Sequence, residues 1–570
     1  MGLKGSTVKS VTTMRFPVYF LLGSVVAIGC SQEWIATPSN PLPPFDMGDG
    51  GKGGSGGTVD TGGAGGAGGA GGAGGTGGAG GFGGPCIADP GNPEIIKLGT
   101  VPSKTVLVGC VITPQGPING SVFISNDMIQ CVGASCIDDA NAFDATVVRT
   151  HGVIMPGMID THNHILFDIF DADDWSPTQT YLNHDQWPQD ARYGAMVDAK
   201  QYLNGELAIT DTNGVSAKIP NPRGCEMNKY GEMKGIIAGT TGIVGSANPL
   251  DKTCYGSLAR TIDQRPNDLN SDKVQVATIT PSKATADSVC QKFIDDVTDA
   301  YVIHRGEGVD EYSRSEFDKL GLLTTTPNCL YAPETAIVHG TAFGEPEFQI
   351  MADHGMGLVW SPRSNVFLYG NGTDYTKTTD IKTALGLGIN VALAPDWSIG
   401  GSANLLEELK FADEVDKNRW NDEVLSPELL VQMVTIHAAK ILGLDGVIGS
   451  LEVGKKADIT VILGDVTKPW ETIVGANPRD VAFVMVNGVG LYGDTSIRDA
   501  GSKWANCEEL DICGTPKFAC VAEPLGTDTD KFMQTWAEIT TILTTELESY
   551  DARNMSEWDF APLAPLVKCQ

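Results

Sequence analysis

The chain has 570 residues, a formal net charge of -31, 41% hydrophobic residues and 19% charged residues. That apolar share can build a sizeable core, and the length allows several domains or one large barrel with additions. The acidic balance argues against a surface built for nucleic acid or anionic membranes, because both need clustered Lys and Arg.

In chain order, Lys4, Lys9 and Arg15 precede an apolar run from Phe16 to Ile28, which ends at Gly29-Cys30. A basic head and a short apolar run have the form of an export signal, and the run is too short to cross a bilayer as a helix. Ala27-Ile28-Gly29-Cys30 resembles a bacterial lipobox, with Ala27 where Leu is usual. The resemblance implies that residues 1–29 are a signal peptide, that Cys30 is lipidated, and that the exported protein is anchored to the cell envelope through that lipid. Ser31 resembles the residue that lets such lipoproteins proceed to the outer membrane. The alternative is an ordinary secretory signal with a chance Cys.

Residues 48–84 hold 23 of the 70 glycines, repeating Gly-Gly-Ala from Gly62 onward. This stretch has almost no apolar mass and no Pro at collagen spacing, so residues 30–95 read as a flexible tether. Besides Cys30, the chain has twelve of its 13 cysteines left, an even number compatible with disulfides in an exported protein. Cys131 and Cys136, and Cys507, Cys513 and Cys520, are close enough for local pairs. A structural zinc site on the latter three competes, although it lacks a Cys-x-x-Cys pair and a nearby His.

Val106 to Thr113, Ser121 to Ser125 and Met128 to Val132, with turns at Pro114-Gln115-Gly116 and Asn126-Asp127, predict an antiparallel sheet within residues 96–152. Residues 153–445 then alternate apolar runs with helical patterns. The runs are Gly152–Ile159, Thr240–Gly245, Val274–Ile279, Tyr301–Ile303, Ala336–Val338, Gly357–Trp360 and Asn390–Ala394, with an eighth near 254–262. One helix is predicted from the Ser426 cap and Pro427-Glu428 through Leu442 to a stop at Gly443. The pattern predicts an α/β fold, a (β/α)8 TIM barrel. Asp458 to Leu463 and Val481 to Val486, with an Asn487-Gly488 turn, return a second β piece over 446–496. The two β pieces together predict a small β-sandwich built from both sides of the barrel. Residues 497–570 read as a Cys-containing extension, helical from Asp530 to Tyr550.

Eight histidines are present. His162 and His164 directly follow an apolar strand, and residues i and i+2 of a strand point the same way. Two imidazoles at the C-terminal mouth of a barrel strand are placed to share a metal. His304 ends a second run and is followed by Glu307, His339 ends a third, and Asp396 ends a fourth.

On these residues the chain resembles the amidohydrolase superfamily. Pro156-Gly157-Met158-Ile159-Asp160-Thr161-His162-Asn163-His164 looks like its first-strand signature. Ile303-His304-Arg305-Gly306-Glu307 looks like its fifth strand and Val338-His339-Gly340 its sixth. Ser361-Pro362-Arg363-Ser364-Asn365 resembles the Pro-x-Ser-Asn stretch after the seventh strand, and Ala394-Pro395-Asp396-Trp397-Ser398 the eighth. Ile448 to Asp458 resembles the segment that re-enters the sandwich. Within the superfamily the likeness is to the cytosine-deaminase and triazine-hydrolase branch.

The resemblance implies one divalent metal, Zn first and Fe or Mn as alternatives, held by His162, His164, His304 and Asp396. It implies a water activated by that metal, Glu307 as proton shuttle, His339 as the group that polarises the scissile centre or steadies the hydroxide, and Asp396 as a further proton acceptor. The implied reaction is hydrolysis of a carbon–nitrogen bond in a small molecule, by deamination of an amino-heterocycle or cleavage of an amide. Hydrolytic dechlorination is chemically close.

A two-metal peptidase- or imidazolonepropionase-like site is the rival. It would need a bridging carboxylated Lys, for which Lys283 is the nearby residue. A catalytically dead surface-binding lipoprotein is the non-enzymatic alternative. His184, in the long segment 166–234 with Trp175, Tyr181, Trp187 and Tyr193, is a substrate-binding candidate, as are Arg363 and Trp397. His151, His354 and His437 read as structural.

Overall fold

The computed structural model describes residues 83–211, 214–245, 258–263, 269, 274–277, 280–501, 506–522, 533–553 and 556–569. The expected signal peptide, Cys30, most of the tether, Cys254 and the ends of several expected elements lie outside them.

The first strands are β1 (Glu94–Lys97), β2 (Lys104–Thr113), β3 (Gly116–Ser125), β4 (Met128–Gly133) and β5 (Thr146–Pro156). Asn126, at φ 55°, makes the β3–β4 turn. Next come β6 (Met158–Asp160), a small hairpin β7 (Ala208–Thr210) and β8 (Ser216–Lys218), then β9 (Thr240–Ile243), β10 (Arg260–Thr261) and β11 (Val274–Ala277). They are followed by β12 (Ala300–Arg305), β13 (Thr335–His339), β14 (Gly357–Trp360) and β15 (Val391–Leu393). The chain closes with β16 (Ile459–Leu463), β17 (Val481–Val486), β18 (Val489–Asp494), β19 (Asn506–Ile512) and β20 (Thr515–Ala522), then a helix Trp536–Arg553.

Eight of these strands are parallel, with helices described between β6 and β9 and after each of β11 to β15. β10, β9 and β6 form one sheet, and β11 to β15 form another in sequence order. A parallel bridge between Asn163 and Asp396 joins the two. It is backed by the Asp396 N–H on the His162 carbonyl (3.2 Å) and the His164 N–H on the Asp396 carbonyl (2.7 Å). Strands β12 to β15 are buried on both faces. Ile303, Ile337, Leu358 and Leu393 enter one apolar core, while Val302, Val338, Val359 and Ala392 enter a second with the helix Ile436–Ile441. Such two-sided burial explains why they read as continuous apolar runs.

The two ends of the chain form one ten-stranded sheet, in the order β19-β20-β18-β17-β16-β5-β2-β3-β4, with β1 on β5. The expected boundary at residue 496 therefore falls inside a sheet, because β20 pairs with β18. The boundary at 152 falls inside β5. The run Gly152–Ile159 is not one barrel strand. Residues up to Pro156 pair with β16, and only Met158–Asp160 joins the parallel set. Gly157 permits the break, since a Cβ there would meet the Thr241 side chain at 2.2 Å.

The helix expected from Ser426 to Gly443 is two helices, Pro427–Met433 and Ile436–Ile441. The Val434 carbonyl leaves the helix to accept the Ile159 N–H at 2.8 Å, which ties the break to β6. Ser426 caps as expected, accepting from the Leu429 N–H.

Disulfides join Cys86–Cys110, Cys131–Cys136, Cys290–Cys329, Cys507–Cys520 and Cys513–Cys569. Cys225 is disulfide-bonded as well. With all three of its sulfurs in disulfides, Cys507/Cys513/Cys520 holds no zinc. No helix among the described residues is long and apolar enough to cross a membrane.

Candidate functional site

The expected site residues converge at the C-terminal ends of the parallel strands. One ligand atom from each of His162, His164, His304 and Asp396 lies within 4.8 Å of the others. His162 Nε2 is 2.9 Å and His164 Nε2 3.5 Å from Asp396 Oδ1. The His162 and His304 rings are 4.5 Å apart, edge to face. His339 and Asp396 take left-handed backbone angles, φ 69° and 72°. Such angles cost energy for residues with a Cβ and gather at functional sites.

Burial dominates the electrostatics. It pushes the His162 pKa down to about 3 and that of His164 to about 4, and takes His304 well below its ordinary value. Neutral imidazoles are what a metal requires, because a protonated ring offers no lone pair. The His304 Nδ1 lies 3.3 Å from the Ala277 carbonyl. A carbonyl only accepts, so Nδ1 carries the proton and Nε2 presents a lone pair. Three neutral imidazoles and one carboxylate in this compass fit a divalent cation such as zinc.

Asp396 is oriented by the Ser364 hydroxyl, which donates to Oδ2 at 2.6 Å. The Trp397 indole N–H donates to the same hydroxyl at 3.3 Å. Glu307 Oε2 stands 3.9 Å from His339 Nε2, and its Oε1 accepts the Tyr369 hydroxyl at 3.0 Å. Burial raises the Glu307 pKa to about 7. A carboxyl that titrates near neutrality can both take and give a proton at working pH.

The three substrate-binding candidates lie differently. His184 Nε2 is 2.8 Å from Glu316 Oε1, and its backbone N–H donates to the Glu307 carbonyl at 3.2 Å. Burial opposes its charge, but the Glu316 hydrogen bond and the charges of Glu307, Glu316 and Asp185 outweigh that and raise its pKa to about 9. Arg363 is turned away from the cluster, with Nε on Ser402 at 2.7 Å and its guanidinium over the Phe411 ring. Trp397 stands 6.4 Å from the His164 ring and packs with Trp175, Trp187, Tyr193 and Phe167. The 166–234 segment thus supplies Phe167, 6.5 Å from the His164 ring, and the rings that pack on Trp397.

Lys283 is not at the site. Its side chain is 58% exposed and faces Asp287 at 3.7 Å, so it bridges no metal pair. The sequence alone assigns no role to Tyr369, Ser364, Asn365, Thr378 or Thr379. Ser364 and Asn365 lie inside a recognised motif, but nothing local in the sequence marks Tyr369 or the two threonines.

The amidohydrolase family profile matches residues 153–490. The chain is 23% identical over 394 residues to the 5-methylthioadenosine/S-adenosylhomocysteine deaminase of Bacillus cereus (strain 03BB102), covering 65% of this chain and 88% of the relative. It is 25% identical over 382 residues to the 5'-deoxyadenosine deaminase of Methanobrevibacter smithii, covering 60% and 80%. Among solved structures it is similar to the zinc complex of atrazine chlorohydrolase TrzN from Arthrobacter aurescens TC1, with a TM-score of 0.51, 16% identity and coverage of 68% and 95%. It is also similar to the guanine deaminase of C. acetobutylicum with bound guanine, with a TM-score of 0.50, 19% identity and coverage of 68% and 99%. The chain belongs to the amidohydrolase family. It is a metal-dependent hydrolase acting on carbon–nitrogen bonds other than peptide bonds.

Proposed function

We propose that the enzyme deaminates an amino-heterocycle of the aminopurine or aminopurine-nucleoside kind, using one zinc ion held by His162, His164, His304 and Asp396. The observation that carries this is the convergence of those four ligands with Glu307 and His339 at one strand-end mouth. The nucleoside deaminases among the relatives support the substrate class. A divalent ion bound there would lower the pKa of a coordinated water toward ~7 and act as a Lewis acid.

The protein's own groups do the rest. Glu307 moves a proton from the attacking water to the leaving nitrogen. His339 donates a hydrogen bond to the attacking oxygen or to a ring heteroatom, which polarises the carbon under attack, and Asp396 can accept a proton from the water. Trp397 and its aromatic neighbours exclude water and offer flat faces to a planar ring. His184 and Arg363 have their polar atoms engaged elsewhere, so they shape the pocket from behind.

The fold we propose closes the eight parallel strands into a (β/α)8 barrel, with the ten-stranded sheet folded as a sandwich beside it. The reading extends to an exported lipoprotein anchored through Cys30: the five described disulfide pairs support export, since such bonds persist in oxidising compartments, and the anchor rests on the lipobox-like Ala27-Ile28-Gly29-Cys30.

The test is a panel of adenosine, 5'-methylthioadenosine, guanine, cytosine, a chlorotriazine and an N-acyl amino acid, run with added Zn or Mn. Ammonia release from at least one amino-heterocycle is expected. Release of chloride or of an amino acid, with no ammonia from any member, would move the reaction to dechlorination or amide cleavage.

A further inference from the structure

Behind His339 lies a hydrogen-bonded chain whose direction can be fixed from one end. It begins at the Trp360 indole, whose Nε1–H can only donate. That N–H meets the Thr378 hydroxyl at 2.7 Å. Having accepted there, the Thr378 hydroxyl keeps one hydrogen to give, and Asn365 Oδ1 lies 3.1 Å away. The Thr379 hydroxyl donates to the His339 carbonyl at 2.7 Å and also lies 3.4 Å from Asn365 Oδ1. Arg419 holds both threonines by donating to their carbonyls at 2.8 and 3.2 Å. Trp360, Thr378, Thr379, Asn365 and His339 are all buried, so water does not compete.

This order sets the Asn365 amide with its oxygen toward the threonines and its Nδ2 toward His339 Nδ1, 3.1 Å away. Turning the amide over would leave the Thr378 hydroxyl hydrogen with no acceptor among the described residues. Orphaning a buried donor costs ~1–3 kcal/mol. An amide nitrogen cannot accept, so His339 Nδ1 must.

We propose that Asn365 is a positioning residue that fixes the tautomer of His339, placing the ring's proton on Nε2, the nitrogen that faces Glu307. His339 then presents an N–H to the reacting centre and has no lone pair there for a metal. His304 is set the opposite way, with its Nδ1–H on the Ala277 carbonyl and Nε2 free to ligate. The two histidines at the ends of neighbouring strands β12 and β13 are thereby sorted, one as ligand and one as hydrogen-bond donor. The sorting limits the site to one metal and gives a reason for it that does not depend on Lys283.

The test reads the tautomer directly. Long-range proton–nitrogen correlation spectra are recorded on zinc-loaded enzyme carrying 15N-histidine, with His339→Gln identifying the His339 signals among those of the eight histidines. The expected wild-type signature is a protonated Nε2 and a bare Nδ1. Asn365→Asp keeps the shape but replaces the donor with an acceptor, so Nδ1 becomes protonated. Wrong-tautomer substitution behind a catalytic histidine costs ~10⁴-fold elsewhere, and we expect kcat to fall on the order of 10²–10⁴-fold with KM nearly unchanged.

The kinetic arm uses whichever panel compound the wild type deaminates and rests on the proposed function. If none is turned over, that function fails while the spectrum still decides the tautomer. A wild-type His339 protonated on Nδ1, or an Asn365→Asp enzyme with an unchanged His339 signature, would overturn the inference.

Discussion

Replacing Glu307 by Gln tests the proton shuttle with little change of shape. The amide oxygen of Gln can still accept the Tyr369 hydroxyl that now reaches Oε1 at 3.0 Å. What is lost is the titratable oxygen 3.9 Å from His339 Nε2, in a carboxyl that burial has brought to a pKa of about 7. Positioned acid–base groups contribute ~10²–10⁴-fold to rate. At 1.36 kcal/mol per decade this is about 3–5 kcal/mol of transition-state stabilisation. Glu307 is not among the four clustered ligands, so metal content should stay near that of the wild type. The assay is kcat and kcat/KM for ammonia release, paired with metal analysis on the same preparation. Wild-type kcat in a metal-loaded Glu307→Gln enzyme would refute the shuttle.

Three further outcomes are expected. Arg260 Nε and a second guanidinium nitrogen grip the buried Asp458 at 2.7 and 2.9 Å, linking β10 to the residue before β16. Asp458→Asn removes the carboxylate from this buried pair, and loss of one partner of a buried pair costs ~3–5 kcal/mol, read as a lowered Tm. Because the His184 pKa is raised to about 9, its charged pairing with Glu316 stabilises the fold fully below the unfolded value near 6.5. That contribution fades as pH climbs through 9. His184→Gln should therefore lower Tm most at pH 6 and converge on the wild type by pH 10; an equal loss at both would contradict the pairing. Cys569→Ser frees the C-terminal tail from Cys513, and losing such a cross-link should cost ~2–4 kcal/mol, visible as faster proteolysis beyond Arg553 and a lower Tm.

The four clustered residues were legible because they follow or end runs of buried apolar strand residues, and burial on both faces writes itself into sequence as an uninterrupted run. His162-x-His164 also needed only the two-residue period of a strand. Glu307 was legible through its three-residue offset from His304. The groups that orient them were not.

Ser364 reaches Asp396 across 32 residues, Asn365 reaches His339 across 26 and Tyr369 reaches Glu307 across 62. These contacts exist only once helix Pro362–Tyr369 is laid over neighbouring strand ends. The split at Gly157 was hidden for a related reason. Both halves of Gly152–Ile159 are apolar, and only the pairing of Pro156 with Ile459 shows that the first half belongs to another sheet. Strand β19 carries Glu508, Glu509 and Asp511, so its apolar pattern is too thin to predict its place in the ten-stranded sheet.

The central claim is a single divalent cation held by His162, His164, His304 and Asp396. Metal analysis of purified enzyme after zinc reconstitution tests it most directly, with His164→Ala and Asp396→Ala measured alongside. One zinc per chain in the wild type, lost in both variants, is the expected result. Two metals per chain, no metal after reconstitution, or full retention in both variants would contradict it.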